Sequence, residues 1–181
     1  FEAGFTAGAK SVKPDIDVQV QYAESFSDAA KGTTIASTMY ASGVDVIYQA
    51  AGGTGTGVFT AAKEVNEKLD ADSDKKVWVI GVDRDQYDLD PDHVLTSAVK
   101  RVGKAIQIVT EKVMNGEDLG GTTQEFTTAD GCVGIAPTSD KNVPADILEK
   151  TAAIEEKIVS GEIVVPYDEE TYNAFIAELN A

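Results

Sequence analysis

The sequence predicts an α/β fold in which a parallel β-sheet is flanked by helices. Three features carry this prediction: short apolar runs with strand character, helical segments of ten or more residues between them, and glycine-rich turns at the junctions. Parallel strands need a long connection, and such helices provide it. The chain has 181 residues, of which 43% are apolar, so it is long enough to bury a hydrophobic core.

The first half of the chain alternates helical and strand patterns. Phe1, Phe5, Ala9 and Val12 recur at helical spacing and predict an opening helix. The elements predicted after it are a half-buried strand over 16–22, a helix over 29–40 closed by Gly43, an apolar strand over 44–51, a helix over 58–69 and a strand over 76–82 that ends at Asp83.

The second half is less regular. Residues 94–98 predict a short strand, and residues 100–114 predict a helix. Its apolar stripe consists of Val102, Ile106, Val109 and Val113. The remaining predicted elements are a short strand around 132–136, a helix over 144–159 with proline in its first turn, and a last helix over 168–179.

Charge and composition exclude several classes of function. The chain has 15 Lys and Arg against 31 Asp and Glu, a net charge of −16, so it repels phosphate backbones and nucleic acid is not an expected partner. No apolar stretch approaches the roughly 18 residues that a membrane-spanning helix needs. Cys132 is the only cysteine, which excludes an intrachain disulfide and a Cys-rich zinc site.

The lone cysteine and the lone histidine favour neither catalysis nor metal binding. Cys132 lies in an apolar run over 131–136, which indicates a buried strand and an inert thiol. His93 follows a proline and several aspartates and is typical of a solvated loop. We therefore expect no catalytic residue, no metal and no cofactor.

Three segments follow predicted strands and mark one neighbourhood. In open α/β sheets, ligands bind beyond the carboxyl ends of the strands. This rule groups residues 24–28, 52–57 and 83–86.

The glycine-rich segment has four glycines within residues 52–57. Its spacing fits neither a dinucleotide fingerprint nor a phosphate-binding loop. Glycines let backbone amides approach a ligand closely at the start of a helix, which favours ligand contact. A tight strand-to-helix turn is the alternative, although it explains one or two glycines better than four.

Three side chains that follow predicted strands are candidates for ligand contact. Asp83 can accept hydrogen bonds from vicinal hydroxyls, as in a sugar, or it can cap a turn. Phe26 can offer a flat face for stacking, or it can pack in the core. Lys100 can supply a donor or neutralise a carboxylate, or it can remain solvated.

Taken in order, these segments resemble the basic membrane protein family of substrate-binding lipoproteins, which serve ABC transporters and include purine-nucleoside receptors. The resemblance covers essentially the whole chain. The matching motifs are FEAGF and GAK within 1–10, SFSD and AKG within 25–32, AAGGTG and GV within 50–58, VIGVDRDQ at 79–86, LTS and KRV within 95–102, and Ile158, Gly161, Val165 and Pro166.

The resemblance implies a fold similar to type I periplasmic binding proteins, in which two α/β lobes are joined by crossover segments and the ligand lies in the cleft. Residues 1–98 would form most of the second lobe, residues 99–130 would return to the first lobe, and residues 131–181 would form a C-terminal crossover strand and helices. Family members are about twice as long, so the resemblance also implies a C-terminal fragment without the first lobe and its lipid anchor.

The resemblance implies a function as well: an extracytoplasmic, membrane-anchored lipoprotein, not an enzyme, that binds a purine nucleoside between its lobes and delivers it to an ABC permease. Asp83 would bind the ribose hydroxyls, Phe26 would stack on the base, and Lys100 would face the ligand. The residues that would line the pocket are Ala51, Gly52, Gly53, Thr54 and Gly55.

Two other functions remain open. Adjacent carboxylates at a strand end occur in magnesium-dependent phosphoryl enzymes, so Asp83 and Asp85 are compatible with a doubly wound α/β enzyme. A protein-binding receptor domain is the third reading, and its mark would be an exposed apolar patch.

Overall fold

The computed structural model describes residues 1–69 and 75–179. The chain forms two compact units, one of residues 1–22 with 156–181 and the other of residues 23–155. The β-sheet and every predicted site residue belong to the second unit. The three segments predicted from the resemblance refer to lobes of a longer protein, so that division stays a prediction.

Within the described residues, the second unit contains a four-stranded sheet. Its strands are β1 (Val46–Tyr48), β2 (Trp78–Asp83), β3 (Val94–Lys100) and β4 (Val133–Ile135), in the order β1-β2-β3-β4. The pairs β1–β2 and β2–β3 are parallel, as the sequence predicts, whereas β4 is antiparallel to β3. The carboxyl ends of the first three strands therefore meet at one edge of the sheet.

Two helices pack on one face of this sheet and form the core. Helix α2 (Ala29–Ala41) begins at Asp28, whose Oδ1 accepts a hydrogen bond from Lys31 N at 2.9 Å, and is followed by Gly43 at φ 100°. Helix α3 (Thr56–Asn66) follows the glycine-rich turn. The buried core residues are Ala36, Tyr40, Ile47, Val58, Phe59, Ala61, Ala62, Val77, Val79 and Val94.

Glycines allow α2 to approach the turn and helix that follow β1. A Cβ on Gly32 would overlap the Thr54 carbonyl oxygen, and a Cβ on Gly57 would overlap the Ala29 carbonyl oxygen. Both obstacles are backbone atoms, which cannot rotate away. The position of the glycine-rich turn relative to α2 therefore requires both glycines.

The other α-helices within the described part of the chain match the sequence expectations in extent. They are α1 (Glu2–Val12), α4 (Val102–Met114), α5 (Ala145–Ser160) and α6 (Glu169–Leu179). In the first unit, α1 contacts α6, and the Tyr22 hydroxyl donates a hydrogen bond to the Glu2 carboxylate. In the second unit, α4 exposes Val102, Ile106 and Val113 of its apolar stripe. No helix within residues 1–69 and 75–179 combines the length and hydropathy needed to cross a membrane.

The prediction of a strand over residues 16–22 is wrong. These residues have no regular secondary structure, and Val20 and Tyr22 are exposed. A strand exists only where its backbone bonds to a neighbour, so alternating polarity alone does not produce one. The strand predicted over 44–51 is likewise shorter, because only Val46–Tyr48 pairs with β2.

Two predictions about burial also need correction. Cys132 and Ala136 are buried, but Val133 and Ile135 between them are partly exposed, because β4 lies at the edge of the sheet. His93 is not solvated: its Nδ1 lies 2.8 Å from Asp90 Oδ2, and both side chains are largely buried. The aspartate thus satisfies a buried imidazole.

We expect Gly32→Ala to lower the free energy of unfolding by about 1–3 kcal/mol, because the new methyl group meets a backbone oxygen. Urea denaturation measures the change. Gly8→Ala is the control: its Cβ would meet nothing within 4 Å, so helix propensity should raise stability by up to about 1 kcal/mol. An unchanged stability in Gly32→Ala would contradict the close packing.

Candidate functional site

The loop over residues 24–28 lies against the glycine-rich turn. Asp28 N donates a hydrogen bond of 2.9 Å to Thr54 Oγ1. A Cβ on Gly52 would lie 3.3 Å from Phe26 O and 3.4 Å from Phe26 Cδ1, and a Cβ on Gly53 would lie 3.0 Å from Phe26 O. The Phe26 ring is therefore adjacent to the turn, and the residue is 78% exposed. The structure brings these predicted residues together and leaves the aromatic ring accessible.

The glycine-rich turn is a short 3₁₀ helix, Gly52–Gly55, that leads directly into α3. Gly52 has φ 57°, a conformation that favours glycine. Gly52 and Gly53 are exposed and Ala51 is half-buried, but Thr54 and Gly55 are buried. The Thr54 hydroxyl is bonded to the 24–28 loop, and contact of all five residues with a ligand stays a prediction.

Asp83 and Lys100 form an ion pair at the ends of β2 and β3. Lys100 Nζ lies 2.7 Å from Asp83 Oδ1, and their side chains are 44% and 53% exposed, respectively. The parallel register aligns Asp83 with Val99 and so brings the two side chains to the same edge. An ion pair this exposed contributes at most about 1 kcal/mol to stability. Its main effect is to orient two charged groups that remain accessible.

The backbone at Asp83 is unusual. Its φ is 67°, in the left-handed region, and Arg84 N donates a 2.8 Å hydrogen bond to Val82 O. These features make a γ-turn centred on Asp83, a conformation that is strained for a residue with a side chain. Strained residues cluster at functional sites, because their surroundings hold them in a geometry that the chain alone would not adopt.

Tyr48 ends β1 next to this ion pair, and the sequence analysis did not select it. Its burial, and secondarily the negative charge of Asp83, raises the pKa of Tyr48 to about 12. The hydroxyl therefore keeps its proton at neutral pH and can act as a donor at the same edge of the sheet. Its position at a strand end was the signal that could have identified it.

Two buried glutamine side chains connect the two groups of candidate residues. One group is the glycine-rich turn with Phe26, and the other is the Asp83–Lys100 pair. Gln49 and Gln86 are 4% and 7% exposed, and Gln49 Nε2 donates to Gln86 Oε1 at 2.7 Å. Gln86 Oε1 also accepts from Val82 N at 2.8 Å, and Gln86 N donates to Ser97 Oγ at 3.1 Å. A Cβ on Gly55 would overlap Gln49 Oε1. The pair thus connects the glycine-rich turn with the segment around Asp83.

Asp85 is engaged elsewhere. Thr138 Oγ1 lies 2.8 Å from each of its carboxylate oxygens, and Tyr87 N donates to its Oδ1 at 3.1 Å. Asp83, in turn, is paired with Lys100. Among residues 1–69 and 75–179, no group of three or more His, Cys, Asp or Glu side chains could hold a metal ion. The geometry therefore offers the magnesium-enzyme alternative no support.

Comparison with known proteins gives consistent matches over most of the chain. A family model described as "ABC transporter substrate-binding protein PnrA-like" matches residues 1–169. The "CD4+ T-cell-stimulating antigen" of Listeria monocytogenes is 46% identical over 175 residues, which cover 92% of this chain and 48% of that protein. The "ABC transporter nucleoside-binding protein BmpA" of Lactococcus lactis is 47% identical, with the same two coverages.

The chain spans about half the length of the curated relatives it matches. Solved structures are similar as well. A solute-binding protein of an Aeropyrum pernix ABC transporter matches with a TM-score of 0.73 and 26% identity, over 98% of this chain and 56% of that one. A transcriptional activator of the comK gene from Bacillus halodurans matches with a TM-score of 0.73 and 24% identity, over 88% of this chain and 52% of that one. This second match supports the fold alone.

We expect Asp83→Asn to lower the pKa of Tyr48 from about 12, although not to 10.0, because burial is the larger cause of the shift and remains. Titration of the Tyr48 ring carbon by ¹³C NMR measures the change. A Tyr48 pKa that does not respond to Asp83→Asn would contradict their proximity.

The same raised pKa predicts a loss of stability in alkali. Between pH 10 and about 12, Tyr48 ionises in the unfolded chain but stays protonated in the folded one, so the free energy of unfolding falls as pH rises through this window. Burial raises the pKa of Tyr40 as well, so Tyr48→Phe should reduce the fall without abolishing it. An identical fall in Tyr48→Phe, measured by urea denaturation, would contradict the assignment.

Proposed function

Because the chain belongs to the family of PnrA-like substrate-binding proteins of ABC transporters, we propose that it is part of an extracytoplasmic receptor that binds a purine nucleoside and delivers it to a permease. The name of the Lactococcus lactis relative, a nucleoside-binding protein, supports the ligand class. Such receptors bind and release their ligand unchanged, so the proposal assigns no catalytic residue and needs no cofactor.

The observation that carries the proposal is the pairing of two recognition elements in one unit: an exposed aromatic ring at Phe26 and a half-exposed carboxylate at Asp83. A nucleoside has a flat base that stacks on an aromatic face and a ribose whose vicinal hydroxyls donate to a carboxylate. In this proposal Phe26 contacts the base, Asp83 the ribose, and the Gly52–Gly55 turn lines the space between them.

Lys100 makes the carboxylate suitable for this task. A carboxylate that is covered by a ligand loses its hydration, and this cost is large unless a positive charge compensates. Lys100 Nζ, 2.7 Å from Asp83 Oδ1, supplies that charge, and the protonated Tyr48 hydroxyl adds a donor at the same edge of the sheet. The set suits a neutral polyol, because the negative and positive charges balance within the site.

We further propose that these residues are one side of a cleft and that the first lobe of the two-lobed fold contributes the other side. In such proteins, ligand contacts with both lobes stabilise the closed state of a hinge. The exposed apolar stripe of α4 fits this view. Residues 99–130, which include α4, would return to the first lobe, and that lobe would cover the stripe. The membrane anchor, a lipid at the start of the full-length protein, belongs to the same proposal.

That stripe is also what a protein-binding receptor would need, so ligand titration is the deciding test. We expect the full-length protein to bind inosine, guanosine or adenosine in calorimetric titration, and cytidine and ribose more weakly. Absence of heat with all three purine nucleosides would overturn the ligand assignment.

We expect Asp83→Asn to weaken nucleoside binding by about 10- to 100-fold, because the ribose hydroxyls lose a charged acceptor. The variant should also bind 2′-deoxyinosine and inosine with similar affinity. Asp85→Asn is a matched control two positions away, since the Asp85 carboxylate is bonded to Thr138. Equal losses in both variants would contradict a specific role for Asp83.

We expect Phe26→Ala to weaken nucleoside binding by about tenfold, the scale of one base stacked on an aromatic ring. Phe26→Leu should restore little, because it keeps apolar area but not the flat face. Met114→Ala, which truncates a side chain of similar exposure, controls for general effects. Wild-type affinity in Phe26→Leu, measured by calorimetry, would argue against stacking.

A further inference from the structure

We propose that Gln86 is a positioning residue: its buried side-chain amide holds Asp83 in the left-handed turn and so fixes the direction of the carboxylate. The consequence for ligand affinity rests on the proposed function. The effect of Gln86 on the turn is independent of the proposed function, because the hydrogen bonds that produce it lie within the second unit.

The hydrogen bonds around Asp83 carry this inference. Val82, the residue before Asp83, is fixed at both of its backbone polar groups: its N–H donates to Gln86 Oε1 at 2.8 Å, and its carbonyl accepts from Arg84 N at 2.8 Å. Asp83, with φ 67°, lies within the chain segment that each of these two bonds closes, from Val82 to Arg84 and from Val82 to Gln86. Both bonds act on Val82, so the amide of Gln86 anchors the strand end from which the turn departs.

An anchor is needed because the turn is unfavourable for aspartate. A residue with a side chain at this φ relaxes toward ordinary backbone unless its surroundings oppose the change. Relaxation would rotate the Asp83 side chain away from Lys100 Nζ, now 2.7 Å from it. The Lys100 pair is exposed and weak, so it cannot hold the backbone by itself.

Gln86 is itself held rigidly. Its Oε1 accepts from Gln49 Nε2 at 2.7 Å, at the end of β1, and its backbone N–H donates to Ser97 Oγ at 3.1 Å, in β3. The lack of a side chain at Gly81 makes room for this arrangement, since a Cβ there would lie 2.5 Å from Ser97 Oγ and 2.6 Å from Gln86 Oε1. Residues at the ends of β1 and β2 and within β3 therefore hold Gln86 in place.

A double-mutant cycle on the full-length protein tests whether Gln86 acts through Asp83. Inosine affinity is measured for wild type, Gln86→Met, Asp83→Asn and the double variant. We expect Gln86→Met to weaken binding by about tenfold in the wild-type background and by less than about twofold beside Asp83→Asn. Equal effects of Gln86→Met in both backgrounds would overturn the inference.

Gln86→Met leaves the buried Gln49 amide without its acceptor and can unfold the protein for that reason alone. The variant Gln49→Leu with Gln86→Met removes both side-chain amides, so no amide is left unpaired, and the loss of the acceptor of the Val82 N–H is the change under test. We expect this variant to fold with near-wild-type circular dichroism. It should show the same loss of inosine affinity. Wild-type affinity in this folded variant would also overturn the inference.

Hydrogen exchange without ligand separates this inference from the proposed function. We expect the Arg84 amide, which bonds to Val82 O, to lose protection by about tenfold or more in Gln49→Leu with Gln86→Met. The Val79 amide, which bonds to His93 O on the same strand, should be unchanged. If no nucleoside binds the wild type, the proposed function fails, and unchanged Arg84 protection would independently refute the role of Gln86.

Discussion

The buried amide pair of Gln49 and Gln86 is the constraint on which the arrangement of the candidate site depends. Buried amides must find partners, and a side-chain amide can satisfy its donors and acceptors only in a few orientations. Here one oxygen of Gln86 accepts from both Gln49 and Val82. That requirement ties the end of β1 to the end of β2, so the glycine-rich turn that follows β1 and Asp83 at the end of β2 keep a fixed relation.

Four glycines make this arrangement possible because they have no Cβ atom. Gly32 and Gly57 let α2 approach the turn and α3, Gly55 leaves space for Gln49, and Gly81 leaves space for Gln86. At each position a methyl group would meet backbone or a hydrogen-bonded amide. The glycine-rich turn thus serves packing first, and its exposed first residues, Gly52 and Gly53, serve the proposed site.

The electrostatics of the second unit fit an uncharged ligand. The chain has a net charge of −16, which disfavours approach of a phosphorylated compound. At the site, Asp83 is balanced by Lys100, and Tyr48 is uncharged at neutral pH, far below its pKa of about 12. Such a site gains more from directional hydrogen bonds to hydroxyls than from charge, as the proposed function requires.

The sequence by itself determined the helices, the parallel strands and the exposed candidates, because these depend on local periodicity and on the rule that ligands bind at strand ends. It selected Asp83 and Lys100 at strand ends that the structure confirms, whereas Phe26 was selected because it follows the predicted strand over 16–22, which does not form. Only the tertiary structure decided that residues 16–22 form no strand, that β4 runs antiparallel, and that Gln49 and Gln86 are buried together. These properties depend on partners 30 or more residues away, as the Gln49–Gln86 separation of 37 illustrates, and no local pattern records such partners.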